Sequence, residues 1–134
     1  MSSTHLSLHC HVVFGTKHQR PLILPDWRPR FHTYIGGVAD HVHLLIGLRA
    51  THALADVMRD VKRVSSLWVH ETFGDKQFEW QDGYGAFSVS ASVLEKVKHY
   101  IANQEEHHRK KTFQEEYVEM LKASSVEYDE RYLW

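Results

Sequence analysis

Two histidines separated by one apolar residue, in the segment Asp40-His41-Val42-His43, are the first candidates for chemistry. The run from Val42 to Leu48 predicts a β-strand, on which residues two apart leave the same face with Cα atoms about 6.5 Å apart. Two imidazoles at that spacing can bind one divalent ion through ring nitrogens. The segment His9-Cys10-His11 has the same spacing. The pattern alone leaves two options open for each pair, a metal site or an incidental pairing in a histidine-rich chain.

Tyr100 and Gln104 are the second candidates, because they lie four residues apart in a segment with helical spacing. Ser92 and Glu95 fit the S-x-x-E capping box, which predicts a helix from Val93 to about His108. Residues i and i+4 share one face of such a helix, so the phenol and the amide would lie one turn apart. The residues alone also fit a tyrosine at the edge of the core and an exposed glutamine.

The elements that must position these residues follow from hydrophobic periodicity and turn residues. The sequence predicts a strand from Leu6 to Phe14, a short helix over 30–35 ended by Gly36-Gly37, and an amphipathic helix from an N-cap at Thr51 to about Glu71. A loop over 74–85 and a short strand from Ala86 to Ser90 come next. The acidic, aromatic segment 112–134 begins as a helix, and we expect it to pack on a partner or on the body.

The composition is that of an ordinary globular protein. Its 134 residues, 43% hydrophobic and 25% charged, are enough for one domain and too few for two. No apolar run approaches the roughly 20 residues of a membrane-spanning helix, and the N-terminus lacks the pattern of a secretory signal. Cys10 is the single cysteine, which excludes an internal disulfide and favours a reducing compartment. We therefore expect one domain over 1–134, no membrane association and a cytoplasmic location.

The net charge of −1 does not favour a nucleic-acid-binding protein, since most of these carry a basic excess. The basic residues are bunched, however, while acidic residues gather in the C-terminal segment. A near-neutral total can therefore conceal a basic face, although each cluster also fits an ordinary solvated surface. The basic clusters lie within 17–20, 59–63, 96–99 and 107–111.

Five sequence blocks in a fixed order make the pattern more specific than either pair alone. In chain order they are HVVFGTKHQRPL, ADHVHLLIGL, LADVMRDVKRVSS, WQDGYGAFSVS and VKHYIANQEEHHRKKTF. Together, over His9 to about Lys110, the chain resembles the single-tyrosine HUH transposases. These are the small transposases of the two-hundred-like insertion sequences, with the REP-associated tyrosine transposases as relatives.

This resemblance implies a fold, a reaction and a set of roles. The fold is α+β, a ferredoxin-like antiparallel sheet with helices packed on one face, in a protein that works as a homodimer. The reaction is cleavage and rejoining of single-stranded DNA at hairpin ends through a 5′-phosphotyrosine. On this sequence, Tyr100 is the implied nucleophile, and His41, His43 and Gln104 are the implied ligands of a Mg²⁺ or Mn²⁺ ion.

DNA contacts are expected from the basic clusters, with aromatic residues beside them. Phe78, Trp80 and Tyr84 fit either a platform on which bases stack or ordinary core filling. The helix with Arg59, Lys62 and Arg63 is the main candidate for binding the DNA backbone. The full set of candidate DNA-binding residues is Lys17, Arg20, Arg59, Lys62, Arg63 and Lys96.

The chain departs from the family pattern between its first strand and the histidine strand. The family has a helix and a further strand there, whereas this chain has only Pro21 to Gly37. Gly36-Gly37 followed directly by Val38 is typical of a junction across missing sequence, from a natural deletion or a partial sequence. We therefore expect the sheet to lack one strand near Gly37, which would expose amides along the histidine strand and loosen the site.

Four functions stay open on the sequence alone. The first is a metal-dependent DNA strand transferase, and the second is a degenerate relative that binds DNA hairpins without cutting them. The third is a zinc hydrolase built on His9, His11, His41 and His43. The fourth is a structural ferredoxin-like interaction module.

Overall fold

The structure is a computed structural model that describes residues 4–17, 36–38, 40–104, 106 and 110–133. Within these residues the strands and α-helices follow one another in a fixed order. They are β1 (Leu8–Gly15), β2 (Gly36–Val38), β3 (His41–Leu48), α1 (Leu54–Phe73), β4 (Gly85–Val89), α2 (Leu94–Ala102) and α3 (Phe113–Ala123). None of the described helices combines the length and the apolar content that crossing a bilayer requires.

The strands form one antiparallel sheet in the order β2-β3-β1-β4. β1 pairs with β3 along the full length of both strands, from Leu8 opposite Leu48 to Gly15 opposite His41. Its other side pairs with β4. The central strand is therefore satisfied on both edges, and the predicted α+β class with an antiparallel sheet is confirmed.

In the structure, the residues at the predicted junction, Gly36–Val38, form a three-residue strand, β2. β2 pairs with His41, Val42 and His43, and so covers only the histidine end of β3. Within the described ranges, the rest of β3 has a ladder on its β1 side alone. The predicted exposed edge is thus confined to Leu44–Leu48. The predicted helix over 30–35 lies outside the described residues.

One face of the sheet packs against α1. Side chains alternate along a strand, and Phe14 and Val42 project toward Met58 and Val69 of α1. Phe78 and Trp80 complete this core, with 0% and 7% of their surfaces exposed. The full core is Val12, Phe14, Val42, Leu44, Met58, Val69, Phe78 and Trp80.

Of the two options left open for the loop aromatics, base stacking or core filling, core filling is the outcome for two of the three residues. Phe78 and Trp80 fill the core beneath α1, and the Trp80 indole donates a hydrogen bond to the hydroxyl of Ser65 at 2.9 Å. Tyr84 is half-buried against the same core. A segment rich in polar and glycine residues can still bury its large rings where a neighbouring helix leaves them space.

The opposite face of the sheet packs against α3. Val13 and Phe87 from the strands contact Phe113, Tyr117 and Leu121 of this helix. The described helices therefore lie on both faces, whereas the resemblance implied one. The second face carries its own apolar side chains, Val13 of β1 and Phe87 of β4, which α3 covers. The helix that starts the acidic segment packs on the body, which is one of the two predicted options.

Two predicted helix caps are wrong. α1 begins at Leu54 after Ala53, which makes no side-chain cap, so Thr51 lies outside the helix start. α2 begins at Leu94 after Val93, because Ser90 instead caps a 3₁₀ turn over Ala91–Val93 and accepts a hydrogen bond from the amide of Ser92. The S-x-x-E box at 92–95 is therefore not formed. A side-chain cap does occur on α3, where the Thr112 hydroxyl accepts from the amide of Glu115 at 3.1 Å.

Gly85 sets the distance between α3 and the sheet. It lies opposite Val13 in the ladder, and the ring of Tyr117 lies directly over it. A Cβ at this position would come within 2.6 Å of Tyr117 Cε1 and 2.8 Å of its hydroxyl. The missing side chain is therefore what lets α3 approach β4 and β1 closely.

We expect Gly85→Ala to lower the free energy of unfolding by about 1–3 kcal/mol, the usual range for overpacking a core. The added methyl must push the buried Tyr117 ring away from the strand. Urea denaturation followed by circular dichroism measures the change. Gly83→Ala is the matched control, since a Cβ at Gly83 meets nothing within 4 Å. Equal stability of the two variants would contradict the close α3 contact.

Candidate active site

The register of β3 places both histidines of the predicted pair on the α3 face of the sheet. His43 is opposite Val13 and His41 is opposite Gly15, so neither can turn toward the α1 core. Both side chains are completely buried, and their ring centroids lie 5.1 Å apart. The strand prediction therefore placed the two imidazoles on one face correctly.

His41 is held from two sides. Its Nδ1 is hydrogen-bonded to the carboxylate of Asp40 at 2.8 Å, and its ring stacks on Phe113 with centroids 4.1 Å apart. Its Nε2 faces oxygens of Gln104 and Glu116, at 3.4 Å and 3.5 Å. Burial would lower the pKa of His41, but the hydrogen bonds with Asp40 and Glu116 outweigh it and raise the pKa.

His43 is oriented by a third histidine. Its Nδ1 lies 2.7 Å from Nε2 of His11, and its Nε2 lies 2.9 Å from an oxygen of Glu116. Burial, and then the neighbouring charge of His43, lowers the pKa of His11 to about 4. His11 is therefore neutral near pH 7. The hydrogen bond between neutral His11 and Nδ1 of His43 fixes the orientation of the His43 ring. Nε2 of His43 is thereby directed toward Glu116.

Tyr100 and Gln104 contribute their side chains to the same site as the two histidines. Gln104 is 2% exposed, and its Nε2 donates to the backbone oxygen of Tyr100 at 3.4 Å while its Oε1 points to His41. The ring of Tyr100 has its centroid 5.8 Å from that of His43 and 5.9 Å from that of His11. The four residues predicted from strand and helix spacing thus converge within one chain.

Glu116 of α3 is the residue that the sequence reasoning missed. One of its oxygens is the partner of His43 and His41, and the other accepts a hydrogen bond from the Tyr100 hydroxyl. Burial alone would raise the pKa of Glu116, but hydrogen bonds from His41, His43 and Tyr100 lower it well below its ordinary value. Burial, and then the Glu116 carboxylate, raises the pKa of Tyr100 above that of a free phenol.

The sequence carried only a partial signal for Glu116. It lies three residues after Phe113 and next to Tyr117, on the stripe that α3 turns toward the sheet. The segment was expected to pack on a partner or on the body, but none of its six acidic residues between 115 and 130 was singled out. The local sequence did not distinguish Glu116, which is 7% exposed, from its exposed neighbour Glu115.

The converging atoms fit a hard divalent cation. His41, His43 and Glu116 each offer one ligand atom, and these atoms lie within 4.8 Å of one another. The amide oxygen of Gln104 adds a further donor beside His41. Ligand atoms at about 2.1 Å from a Mg²⁺ ion lie about 3 Å from their neighbours in an octahedral site. Three nitrogen–oxygen contacts within this group are of similar length, at 2.9, 3.4 and 3.5 Å.

The donor set of the zinc hydrolase is not assembled. Nδ1 of His9 has no hydrogen-bond partner among the described atoms, and His9 is not part of the converging group. His11 is hydrogen-bonded to Nδ1 of His43, whereas the nitrogen of His43 that faces Glu116 is Nε2. The four histidines therefore do not share one centre in the described part of the chain.

An open cleft of about 590 Å³ reaches Tyr100 and Glu116 from the surface. Lys96, which was predicted to bind DNA, lines it together with two lysines that follow α2. Glu116 and Glu119 also line the cleft, and Lys111 is paired with Glu119, so the lysines would place positive charge beside acidic groups in the cleft that reaches the phenol. The lining residues are His11, Lys96, Val97, Tyr100, Lys110, Lys111, Glu116, Glu119, Met120 and Ala123.

The other predicted basic residues lie elsewhere. Arg59 and Arg63 are on α1, across the sheet from Tyr100, in exposed ion pairs with acidic residues of the same helix. The ammonium of Lys62 donates to the backbone oxygens of Gln81 at 2.7 Å and Gly83 at 2.8 Å, and burial lowers its pKa. Lys17 lies beside Glu79, at 3.7 Å. Arg20 is outside the described residues.

Comparisons with known proteins show which family the chain matches. The profile of the family described as "Transposase IS200 like" matches residues 4–104. The transposases for insertion sequence element IS200 of Salmonella typhimurium and Salmonella typhi are each 26% identical over 125 residues, covering 77% of this chain and 82% of theirs. The family match includes both histidines, Tyr100 and Gln104, and it ends before Glu116.

The fold is also similar to a solved structure. A crystal structure at 1.90 Å resolution of a Deinococcus radiodurans R1 protein, described as a candidate transposase, superposes with a TM-score of 0.59 at 19% identity. The similarity covers 78% of this chain and 98% of that one. At this identity the match supports the fold alone.

We expect His11 to make stability depend on pH. Its pKa falls from 6.5 in the unfolded chain to about 4 in the folded one, so between these values the unfolded chain binds a proton that the folded chain does not. This contribution is complete above pH 6.5 and is lost as the pH falls toward 4. Between pH 7 and pH 4.5, it should cost on the order of 2 kcal/mol, measured by urea denaturation.

His11→Gln is the comparison that isolates this effect, because an amide does not titrate. His41 has the opposite sign, since its raised pKa adds stability below pH 6.5 that is lost at higher pH, and it is present in both proteins. The variant should therefore lose less stability on acidification than the wild type. An equally steep loss in both would show that His11 is not held neutral by the fold.

Proposed function

The chain belongs to the IS200-like transposase family, and from that premise we propose that it cuts and rejoins single-stranded DNA. Tyr100 is the nucleophile, and His41, His43 and Gln104 hold a Mg²⁺ or Mn²⁺ ion. One observation carries the proposal: the Tyr100 hydroxyl and the Nε2 atoms of both histidines are bonded to the same carboxylate. The reacting oxygen therefore lies beside the atoms that would bind the ion.

The reaction exchanges one phosphoester bond for another. The phenolic oxygen of Tyr100 forms a bond to the phosphorus while the bond from phosphorus to the 3′ oxygen breaks. The phenol loses a proton and the leaving 3′ oxygen gains one, so the products are a 5′-phosphotyrosine and a 3′-hydroxyl. A 3′-hydroxyl can reverse the step, which rejoins strands without ATP. A bound divalent ion would neutralise charge that develops on the phosphate.

The chain's own residues hold the phenol ready for attack. A phenol has a pKa of about 10, and burial together with Glu116 raises that of Tyr100 further. Tyr100 therefore rests as a neutral hydroxyl with a fixed direction, and it loses its proton as the new bond forms. Orientation of the attacking oxygen before substrate arrives is itself a large contribution to rate.

DNA would contact two surfaces. Lys96, Lys110 and Lys111 line the cleft at Tyr100, where they would neutralise the backbone of the strand to be cut. Arg59 and Arg63, across the sheet, are proposed to contact the folded part of a hairpin. Lys62 supports that surface indirectly, since its ammonium already binds the loop at 81–83.

We propose in addition that residues 1–134 form one domain, that the protein acts as a homodimer, and that it works in the cytoplasm. Because the four predicted site residues and Glu116 meet within a single chain, the chemistry described here does not require the tyrosine of a second copy. A role as a DNA-hairpin-binding relative that does not cut is the alternative. The raised pKa of Tyr100 is the observation that favours it.

We expect Tyr100→Phe to abolish covalent capture of DNA, because only the phenolic oxygen can form the phosphoester. Single-stranded hairpin DNA with a 3′-labelled end would be incubated with protein and Mn²⁺ and resolved on a denaturing gel, because the 5′-phosphotyrosine retains the fragment on the 3′ side of the cut. The wild type should give a shifted protein–DNA band that disappears with EDTA.

Tyr132→Phe is the matched control, since it removes one hydroxyl from a ring that is 79% exposed. It should give the wild-type yield of adduct. An adduct of undiminished yield with Tyr100→Phe would reject Tyr100 as the nucleophile. Binding of the hairpin by the wild type without any adduct would support the non-cutting alternative.

We expect Lys96→Ala to weaken binding of single-stranded DNA and to make it less sensitive to salt. Loss of one phosphate contact on a single strand should reduce the slope of log K against log salt by about 0.7. Fluorescence anisotropy in the Tyr100→Phe background measures this without covalent capture. Lys98→Ala is the control, because Lys98 is on the same helix but pairs with Glu95 outside the cleft. Equal effects of the two substitutions would contradict the cleft as the strand-binding site.

A further inference from the structure

We infer that Glu116 is a fourth ligand of the metal ion and that the same carboxylate holds Tyr100 beside that ion. This inference rests on the proposed function and deepens it. It assigns a role to a helix that lies beyond the family match at 4–104. The ion would then be held by two imidazoles, one amide and one carboxylate.

The geometry at the carboxylate divides its two oxygens between two tasks. Oε1 lies 2.9 Å from Nε2 of His43 and 3.5 Å from Nε2 of His41, among the atoms that would surround an ion. Oε2 points the other way and accepts the hydrogen bond of Tyr100. A single side chain therefore fixes the distance between the ion and the attacking oxygen.

The position of Glu116 is fixed by its helix. Phe113, one turn before it, stacks on the ring of His41, and Tyr117, next to it, packs over Gly85. Thr112 caps the helix start through the amide of Glu115. Because these contacts lie on both sides of Glu116 in sequence, its carboxylate is carried by a docked helix and not by a loop that closes over the site.

The charge balance favours a cation at this place. Glu116 is 7% exposed, and one oxygen of its carboxylate lies 2.9 Å from Nε2 of His43 and 3.5 Å from Nε2 of His41, so an acidic group lies buried beside two imidazoles. Buried charges are costly unless an opposite charge compensates them. A site with His41, His43 and Gln104 alone would give a hard divalent ion no anionic ligand, whereas Glu116 supplies one. Affinity for hard cations rises with the number of charged ligands.

The open cleft argues that Glu116 is a ligand and not a plug, meaning a side chain that occupies the metal site and keeps the ion out. Both Tyr100 and Glu116 already line the open cleft with α3 in place, so a strand can reach them without movement of the helix. Four protein donors would also leave two positions of a six-coordinate ion for a phosphate oxygen and water. A plug, by contrast, would compete with the ion for the histidines, and its removal would tighten metal binding.

Binding of Mn²⁺ alone, without DNA, tests the inference. The free ion is quantified by electron paramagnetic resonance as wild-type protein and variants are titrated. Glu116→Gln keeps the shape of the side chain and removes its charge, and we expect its Kd for Mn²⁺ to be weaker by tenfold or more. Glu119→Gln removes the same charge from the same helix and cleft without touching the histidines, and its Kd should stay within about twofold of the wild-type value.

Three results would overturn the inference. Mn²⁺ binding by Glu116→Gln that equals the wild type shows that the carboxylate is not a ligand, and tighter binding shows a plug. An equal loss with Glu119→Gln shows that only the charge of the cleft matters. If thermal unfolding shows that Glu116→Gln does not fold, Glu116→Asp decides, because its shorter carboxylate should also weaken Mn²⁺ binding.

Tyr100→Phe keeps the outcome separate from that of the proposed function. The phenol is bonded to Glu116 and is not among the converging ligand atoms, so this variant should bind Mn²⁺ within about twofold of the wild type. Loss of DNA capture with intact Mn²⁺ binding is then the signature of the nucleophile. The Mn²⁺ affinity of Glu116→Gln therefore tests the role of Glu116 as a ligand whether or not the protein cuts DNA.

Discussion

The antiparallel register between β1 and β3 is the constraint on which the site depends. It places His43 opposite Val13 and His41 opposite Gly15, on the face that α3 covers. Because side chains alternate, a slip of one residue would turn both imidazoles into the apolar core beneath α1. The absence of a side chain at Gly15 also matters, since a Cβ there would lie 3.1 Å from both the Asp40 carbonyl and the Phe113 ring.

A chain of buried polar contacts follows from this register. His11 orients His43, His43 and His41 meet Glu116, and Glu116 holds Tyr100. Such groups are costly inside a protein unless each one finds a partner, and here the partners come from β1, β3, α2 and α3. The sheet and two helices therefore have to be assembled together for the cluster to be satisfied. This coupling links the stability of the fold to the integrity of the site.

The sequence was informative where a local period decides which side chains share a face. A period of two put the histidine pair on one side of β3, and a spacing of four brought Tyr100 and Gln104 to the same site, although α2 ends at Ala102, between them. Glu116 could not be found in this way, because its partners are distant in sequence and five other acidic residues lie in the same segment. Burial of Phe78 and failure of the cap at Thr51 likewise depended on tertiary packing, which a local pattern does not contain.

The stacking of Phe113 on His41 has a consequence for how an ion would be captured. With one flat face of the imidazole against the phenyl ring and Nδ1 tied to Asp40, rotation about the side-chain bonds is blocked before any ligand arrives. The His41 ring therefore loses its rotational entropy when the chain folds, and binding of an ion does not have to reduce that entropy again. A rigid first donor lets a cation exchange its water molecules against an already oriented lone pair.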